Sequence, residues 1–303
     1  MRRAIAALFT ATVVAAILTG CAGTRDTQTR TAEAAAEVRP LTDAEQLRIS
    51  DAQQRLIRQC MNRQGFSYWE AEKLSLEESR TLGYVSDDVE WARKHGYGSE
   101  IRAKEDRARS ANPNAAYRKG LPPKRREAYD TALDEGVDAP VISAELPNGG
   151  TVRKRVGGCV AASEKELYGD SAAWFRAQKT TGSLQPLYVP RVMADPRFTK
   201  ALTAWSRCME RAGHPYKDPG AARQAALRLG LKTTPGTAFA AERTLAVADA
   251  TCTRDTGLRS IGEERETHYL NGLRGRYGEA LDAHGRLQHK ALAHAMEIVG
   301  PRS

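Results

Sequence analysis

From Leu41 onward, apolar residues recur mostly at three- and four-residue intervals, the spacing of one face of a helix. Thr42-Asp43-Ala44-Glu45 forms a capping box. Leu47, Ala52, Leu56, Ile57 and Cys60 then keep helical spacing up to Gly65, so the first helix is expected between those two signals. Shorter helices are predicted over residues 75–82 and 88–95, the second closed by Gly96-Tyr97-Gly98. Residues 102–126 break the pattern with basic side chains, Pro113 and Pro122-Pro123, and read as an exposed loop or frayed helix.

A different period follows. Residues 141–146 and 151–156 flank Pro147-Asn148-Gly149-Gly150, and this is the chain's convincing β-hairpin signal. Beyond it the pattern is helical again, with helices expected over 159–168 and 184–193. Asp195-Pro196 and Asp218-Pro219 each supply a cap and a first-turn proline for a further helix. An Ala-rich segment, 237–256, carries Cys252 and ends at Gly257. Residues 258–299 predict a long helix or helical hairpin with a break near Asn271-Gly272. The fold class expected is therefore mainly α, with one small hairpin near 141–156. A helical N-terminal half is expected over 42–180 and a helical C-terminal half over 181–303.

The first forty residues follow other rules. Arg2 and Arg3 precede an uncharged stretch, 4–17, which is short for a membrane span but suits the apolar region of a secretory signal. Leu18-Thr19-Gly20-Cys21 resembles the lipobox of bacterial lipoproteins. That resemblance implies cleavage after residue 20, a diacylglyceryl group with palmitate-type chains on Cys21, and anchoring at the outer face of the cell membrane. Two acyl chains, at roughly 0.8 kcal/mol per buried methylene, suffice for a stable anchor. Residues 21–41 hold almost no large apolar side chain and read as a tether, whose Arg25, Arg30 and Arg39 are too sparse for a polybasic lipid clamp.

With Cys21 assigned to lipid, Cys60, Cys159, Cys208 and Cys252 remain, an even set in an oxidising compartment, for which disulfides are the default. The absence of C-x-x-C argues against a thioredoxin-like centre or a zinc knuckle. A short repeat bears on the pairing: Cys60-Met61-Asn62-Arg63-Gln64-Gly65-Phe66-Ser67-Tyr68 returns as Cys208-Met209-Glu210-Arg211-Ala212-Gly213-His214-Pro215-Tyr216. Both copies read C-M-x-R-x-G-x-x-Y, with arginine in a last helical turn and glycine in the left-handed position that ends the helix. Ile57 and Trp205 precede the two cysteines by one turn and are expected to face inward. Pairing each copy with the next cysteine gives Cys60–Cys159 and Cys208–Cys252, the connectivity preferred over a crossed one. No Lys or His stands beside Cys159 to lower its pKa, so it reads as a staple before a redox centre.

The chain has 303 residues, 46 Lys plus Arg against 37 Asp plus Glu, and 41% hydrophobic residues, usage that excludes wholesale disorder and a polytopic membrane protein. Within it, catalytic patterns are sparse. There is no G-x-S-x-G, S-x-x-K or H-E-x-x-H. His284, His289 and His294, five apart, are turned by about 140° from one another on a helix and cannot chelate together. Glu264 and His268 share a face but lack a third ligand. His214 matches Phe66 in the repeat, so its position tolerates a ring without proton chemistry. Asp87-Asp88 and Glu263-Glu264 suit first helical turns, and Gly272, Gly275 and Gly278 read as a close-packing face. Tyr68, Trp69, Tyr84 and Trp91 could line a groove, although the core is the usual place for such rings. No catalytic residue, metal ligand or cofactor is assigned.

The lipobox, the paired C-M-x-R-x-G-x-x-Y copies, Gly157-Gly158-Cys159 and Asp249-Ala250-Thr251-Cys252 together resemble lipoproteins of high-GC Gram-positive bacteria for which no activity is established. The resemblance implies location and a disulfide-stapled helical fold, and nothing catalytic. The expectation is thus a non-enzymatic, membrane-anchored binding or scaffold protein of the cell envelope, accessory to a transporter or to another envelope protein. The basic stretch 102–126 offers anionic envelope polymers a surface. Nucleic acid is not expected in that compartment. A cell-envelope hydrolase with a dispersed site is the alternative, and a small-ligand binding lipoprotein a third reading.

Overall fold

Thr42 opens the first helix as its pattern predicts. In the computed structural model, which describes residues 39–71, 75–80, 83–134 and 139–300, the Thr42 hydroxyl accepts from Glu45 N and the Glu45 carboxylate accepts from Thr42 N, closing the capping box of α1 (Asp43–Arg63). The expected signal sequence, lipidated Cys21 and nearly all of the tether lie outside the described residues. The helix ends as the repeat requires. Gly65 takes φ 76°, Phe66 N donates to Met61 O at 3.0 Å and Gly65 N to Asn62 O at 3.0 Å. The second copy repeats this at the end of α9 (Pro196–Arg211), with Gly213 at φ 81°, His214 N on Met209 O and Gly213 N on Glu210 O. Both are Schellman motifs, and Met61 and Met209 recur because each is fully buried inside its last turn. Burying such a side chain stabilises by roughly 1.5–3 kcal/mol.

Residues 102–126 differ from expectation. They lie in α3 (Ser99–Ser110), α4 (Pro113–Gly120) and α5 (Pro123–Leu133), after the short α2 (Val89–His95). Of the prolines that suggested a loop, Pro113 and Pro123 stand in first helical turns, where a missing N–H costs nothing, and Pro122 is the N-cap of α5. Residues 75–80 hold a single turn in place of the expected start of a helix, although Ser75 and Glu78 cap one another across it. The hairpin is as predicted: β1 (Val141–Glu145) pairs antiparallel with β2 (Thr151–Arg155), Val141 opposite Arg155 and Glu145 opposite Thr151.

Then come α6 (Gly158–Tyr168), α7 (Ser171–Gly182), which no sequence signal singled out, and α8 (Gln185–Met193). After α9 follow α10 (Pro219–Gly230), α11 (Pro235–Thr256), α12 (Leu258–Asn271) and α13 (Arg274–Val299). The Asp195 and Asp218 side chains cap α9 and α10, and the C-terminal pattern does break at Asn271-Gly272. The glycine face does not pack. Among the described residues a Cβ on Gly275 would meet nothing within 4 Å, and one on Gly278 only Arg274 of its own helix, so these glycines have no close neighbour there to admit.

Both disulfides take the expected connectivity, Cys60–Cys159 and Cys208–Cys252. The first ties α1 to α6 beside Phe66 and Tyr129. The second ties α9 to α11 within the largest core, where Trp205 is fully buried; Ile57 is 4% exposed in the first. Elements of residues 42–180 and 181–303 interlock, since α13 packs on α1, α6 and α7 while α2 packs on α11. The described residues belong to one compact unit.

Candidate functional site

Three buried polar side chains, Glu242, Asp249 and Thr253, cluster where α2, α9, α10 and α11 meet. On α11, Glu242 and Asp249 lie two turns apart on the face that also buries Leu245, Ala246 and Cys252. Asp249 is 2% exposed. Its Oδ1 accepts from the Trp205 indole at 3.0 Å and from the Thr253 hydroxyl at 3.3 Å, and its Oδ2 accepts from the Tyr97 hydroxyl at 3.0 Å. Burial pushes the Asp249 carboxyl above its ordinary range, against the Tyr97 bond and the charge of Arg223, which favour ionisation. The Tyr97 phenol is pushed up by the same burial and by Asp249.

Glu242 works on backbone. Its Oε1 accepts from Tyr97 N at 2.7 Å and Ser99 N at 3.1 Å, joining α11 to the turn between α2 and α3. Gly96 makes this approach possible: its φ is 61°, and a Cβ there would stand 2.9 Å from the Glu242 side chain. Around Tyr97 two guanidinium groups gather. Arg102 donates from Nη1 to Tyr97 O at 2.8 Å, and Arg223 lies over the Tyr97 ring, 5.5 Å from its centroid, while donating to Gly83 O. Tyr97, Arg102, Arg223, Ala226, Leu227 and Glu242 enclose a cavity of about 210 Å³. A narrower one of about 10 Å³ lies between Arg223 and Asp249, lined also by Trp91.

This constellation was missed in the sequence, apart from Asp249 as a neighbour of Cys252. The residues that drew attention there lie elsewhere. Asp88 caps α2 and Asp87 pairs with Arg259 at 2.7 Å; Arg259 also holds Glu263, and Glu264 holds Arg197. His268 meets the Tyr269 ring edge-on, and His214 contributes its backbone to the helix end. His284 stacks on Trp174, which stacks on Tyr168, and burial there lowers its pKa. His289 and His294 bond separately to Arg39 O and Glu166 O. Among the described residues no three His, Cys, Asp or Glu side chains converge on a metal position.

The four aromatic residues divide. Trp91 is buried, and Tyr84 is 42% exposed beside α10. Tyr68 packs with Tyr117 against the core at Tyr129, where Trp69 meets Tyr117 edge-on and exchanges two backbone hydrogen bonds with the Asn114 amide. The basic stretch stays mostly exposed, but several of its side chains have partners within the fold. Lys104 bonds Glu78, Arg118 takes both oxygens of Asp130, Arg126 binds two backbone carbonyls, and Arg125 lies over Phe66. Among the described residues no helix is long and apolar enough to cross a membrane. No family model, curated protein or solved structure matches the chain.

Proposed function

We propose that this protein is a lipid-anchored, extracytoplasmic component of the cell envelope whose helical domain acts by binding a partner. The observation that carries the reading is the pair of disulfides: Cys159 and Cys252 are 1% and 2% exposed, and each bridge joins two helices of the core. Bridges so placed are constitutive staples and belong to an oxidising compartment. That agrees with the secretory leader and with lipidation at Cys21. The polar groups at the centre of the fold support a binding role over hydrolysis, because Asp249 and Glu242 hold helices together through Tyr97, Trp205 and Ser99.

The test is metabolic labelling with an alkyne analogue of palmitate, followed by membrane fractionation and crosslinking in intact cells. The native chain is expected to take up label, sediment with membranes and crosslink to one stoichiometric envelope protein. Cys21→Ala is expected to lose label and partner together. Equal labelling of both chains, or a soluble native chain, would overturn the anchor; crosslinking to wall polymer or lipid alone would overturn the partner role.

A further inference from the structure

Two groups of opposite charge border the 210 Å³ cavity, and neither is neutralised by the other. Glu242 is 6% exposed. Both its hydrogen bonds, from Tyr97 N and Ser99 N, reach Oε1, and among the described residues no cation stands within ion-pair distance of the carboxylate. A buried carboxylate held only by neutral donors on one oxygen is costly, and a cation on the other would offset that cost. On the other side, Arg102 and Arg223 each place Nη1 on a backbone carbonyl, Tyr97 O and Gly83 O, and neither forms an ion pair among the described residues, although the Arg223 charge is felt by Asp249 across the narrower cavity. Arg223 Nε is buried and has no hydrogen-bond partner among the described residues.

The backbone of Tyr97 keeps these charges apart. Its N–H is bonded to Glu242 and its carbonyl to Arg102, so carboxylate and guanidinium are fixed on the two ends of one residue. The turn carrying Tyr97 is held on both sides by glycines at positive φ, Gly96 at 61° and Gly98 at 83°. The arrangement is preorganised, with the charges in place before any ligand arrives. The cavity falls below the roughly 300–1,000 Å³ of drug-sized sites, which limits the ligand to a small molecule. Leu227, 57% exposed, and Ala226 add an apolar part to the wall.

We propose that this cavity binds a small zwitterion of α-amino-acid size, its carboxylate on the guanidinium groups of Arg223 and Arg102 and its ammonium on Glu242. Arginine suits the first role because its planar fork holds a carboxylate by two parallel bonds. The site goes beyond the partner-binding role proposed above and is independent of the Cys21 anchor.

The experiment is isothermal titration of the full chain in detergent with glycine and each common L-amino acid singly, and with acetate and methylammonium as half-ligands. At least one amino acid is expected to bind saturably at one site, at least about tenfold more tightly than either half-ligand, which corresponds to roughly 1.4 kcal/mol. Arg223→Gln and Glu242→Gln are each expected to weaken it by about tenfold or more. Leu227→Trp, which adds an indole at the cavity mouth from an exposed position, tests the location without touching the charged groups, and is expected to abolish binding with the thermal midpoint unchanged. Failure of every amino acid to bind would overturn the proposal. So would acetate binding as tightly as the best amino acid, or binding that survives Leu227→Trp.

Discussion

The Tyr97 hydroxyl donates to Asp249 Oδ2 at 3.0 Å across 152 residues of chain, in a region where both side chains are buried. The contact closes a circuit: Tyr97 follows α2, Asp249 lies on α11, and Trp205 of α9 donates to the other carboxylate oxygen. Removing the phenol oxygen leaves that carboxylate one donor short in a dry place. Tyr97→Phe is therefore expected to destabilise by about 1–3 kcal/mol, the range for leaving a buried polar group without its partner. A cycle with Asp249→Asn, read by urea denaturation, should give a coupling of about 0.5–3 kcal/mol. Additive losses would show that the bond contributes nothing of its own.

Glycine positions separate backbone strain from crowding. At Gly65 and Gly213 a Cβ would meet nothing within 4 Å among the described residues, so alanine there opposes only the left-handed φ. The expected loss is about 1–2 kcal/mol at each. Gly158 also has positive φ, 59°, but a Cβ would lie 2.7 Å from Ala132 O and 2.8 Å from Asp134 N. Gly158→Ala must displace the end of α5 as well, and its midpoint in urea is expected to fall further than that of either helix-end variant. Equal losses at the three positions would refute the crowding argument.

The disulfides differ in the length of chain they close. Cys60–Cys159 spans 99 residues and Cys208–Cys252 spans 44. In the chain-entropy description these loops correspond to roughly 4.7 and 4 kcal/mol, with measured losses commonly about 2–5. Each Cys-to-Ala pair is expected to lower stability within that range, the Cys60/Cys159 pair slightly more. Denaturation of the two double variants under identical conditions checks the order.

Some of this was legible in the sequence because local chemistry decided it. Thr42 with Glu45, the Asp-Pro starts at Asp195 and Asp218, and the glycines of the repeat fix helix ends through groups within a few residues. The repeat also suggested which cysteines pair. The basic stretch misled for the same local reason: prolines and like charges resemble a loop until Glu78 and Asp130 are brought to Lys104 and Arg118. The cavity was hidden further. Glu242 and Asp249 are two ordinary acids in an Ala-rich helix, and what sets them apart is burial against Tyr97, about 150 residues away. The one available signal was that both fall on the face of α11 carrying Leu245 and Cys252, where an acid needs a partner.

Two buried aspartates should oppose each other in their effect on acid stability. Asp195 caps α9, and although burial raises its pKa, bonds from Tyr269, Arg197 N and Phe198 N together with the Arg265 charge hold it below the ordinary range. Below about pH 4, near the unfolded value for aspartate, the unfolded chain therefore binds the extra proton. Its stabilising contribution is fully present above about pH 4 and is lost as pH falls toward the folded pKa. Asp249 is displaced the other way by burial, so above about pH 4 the folded chain holds the extra proton and stability declines as pH rises through its folded pKa. In urea titrations from about pH 3 to about pH 8, the deficit of Asp195→Asn relative to the native chain is expected to grow with pH up to about pH 4 and then level off. The deficit of Asp249→Asn is expected to shrink as pH rises above that point, because the native carboxylate, and not the amide, carries the cost of ionising in the core. Two deficits that change in the same direction would mean that Asp249 is ionised in the fold as readily as Asp195.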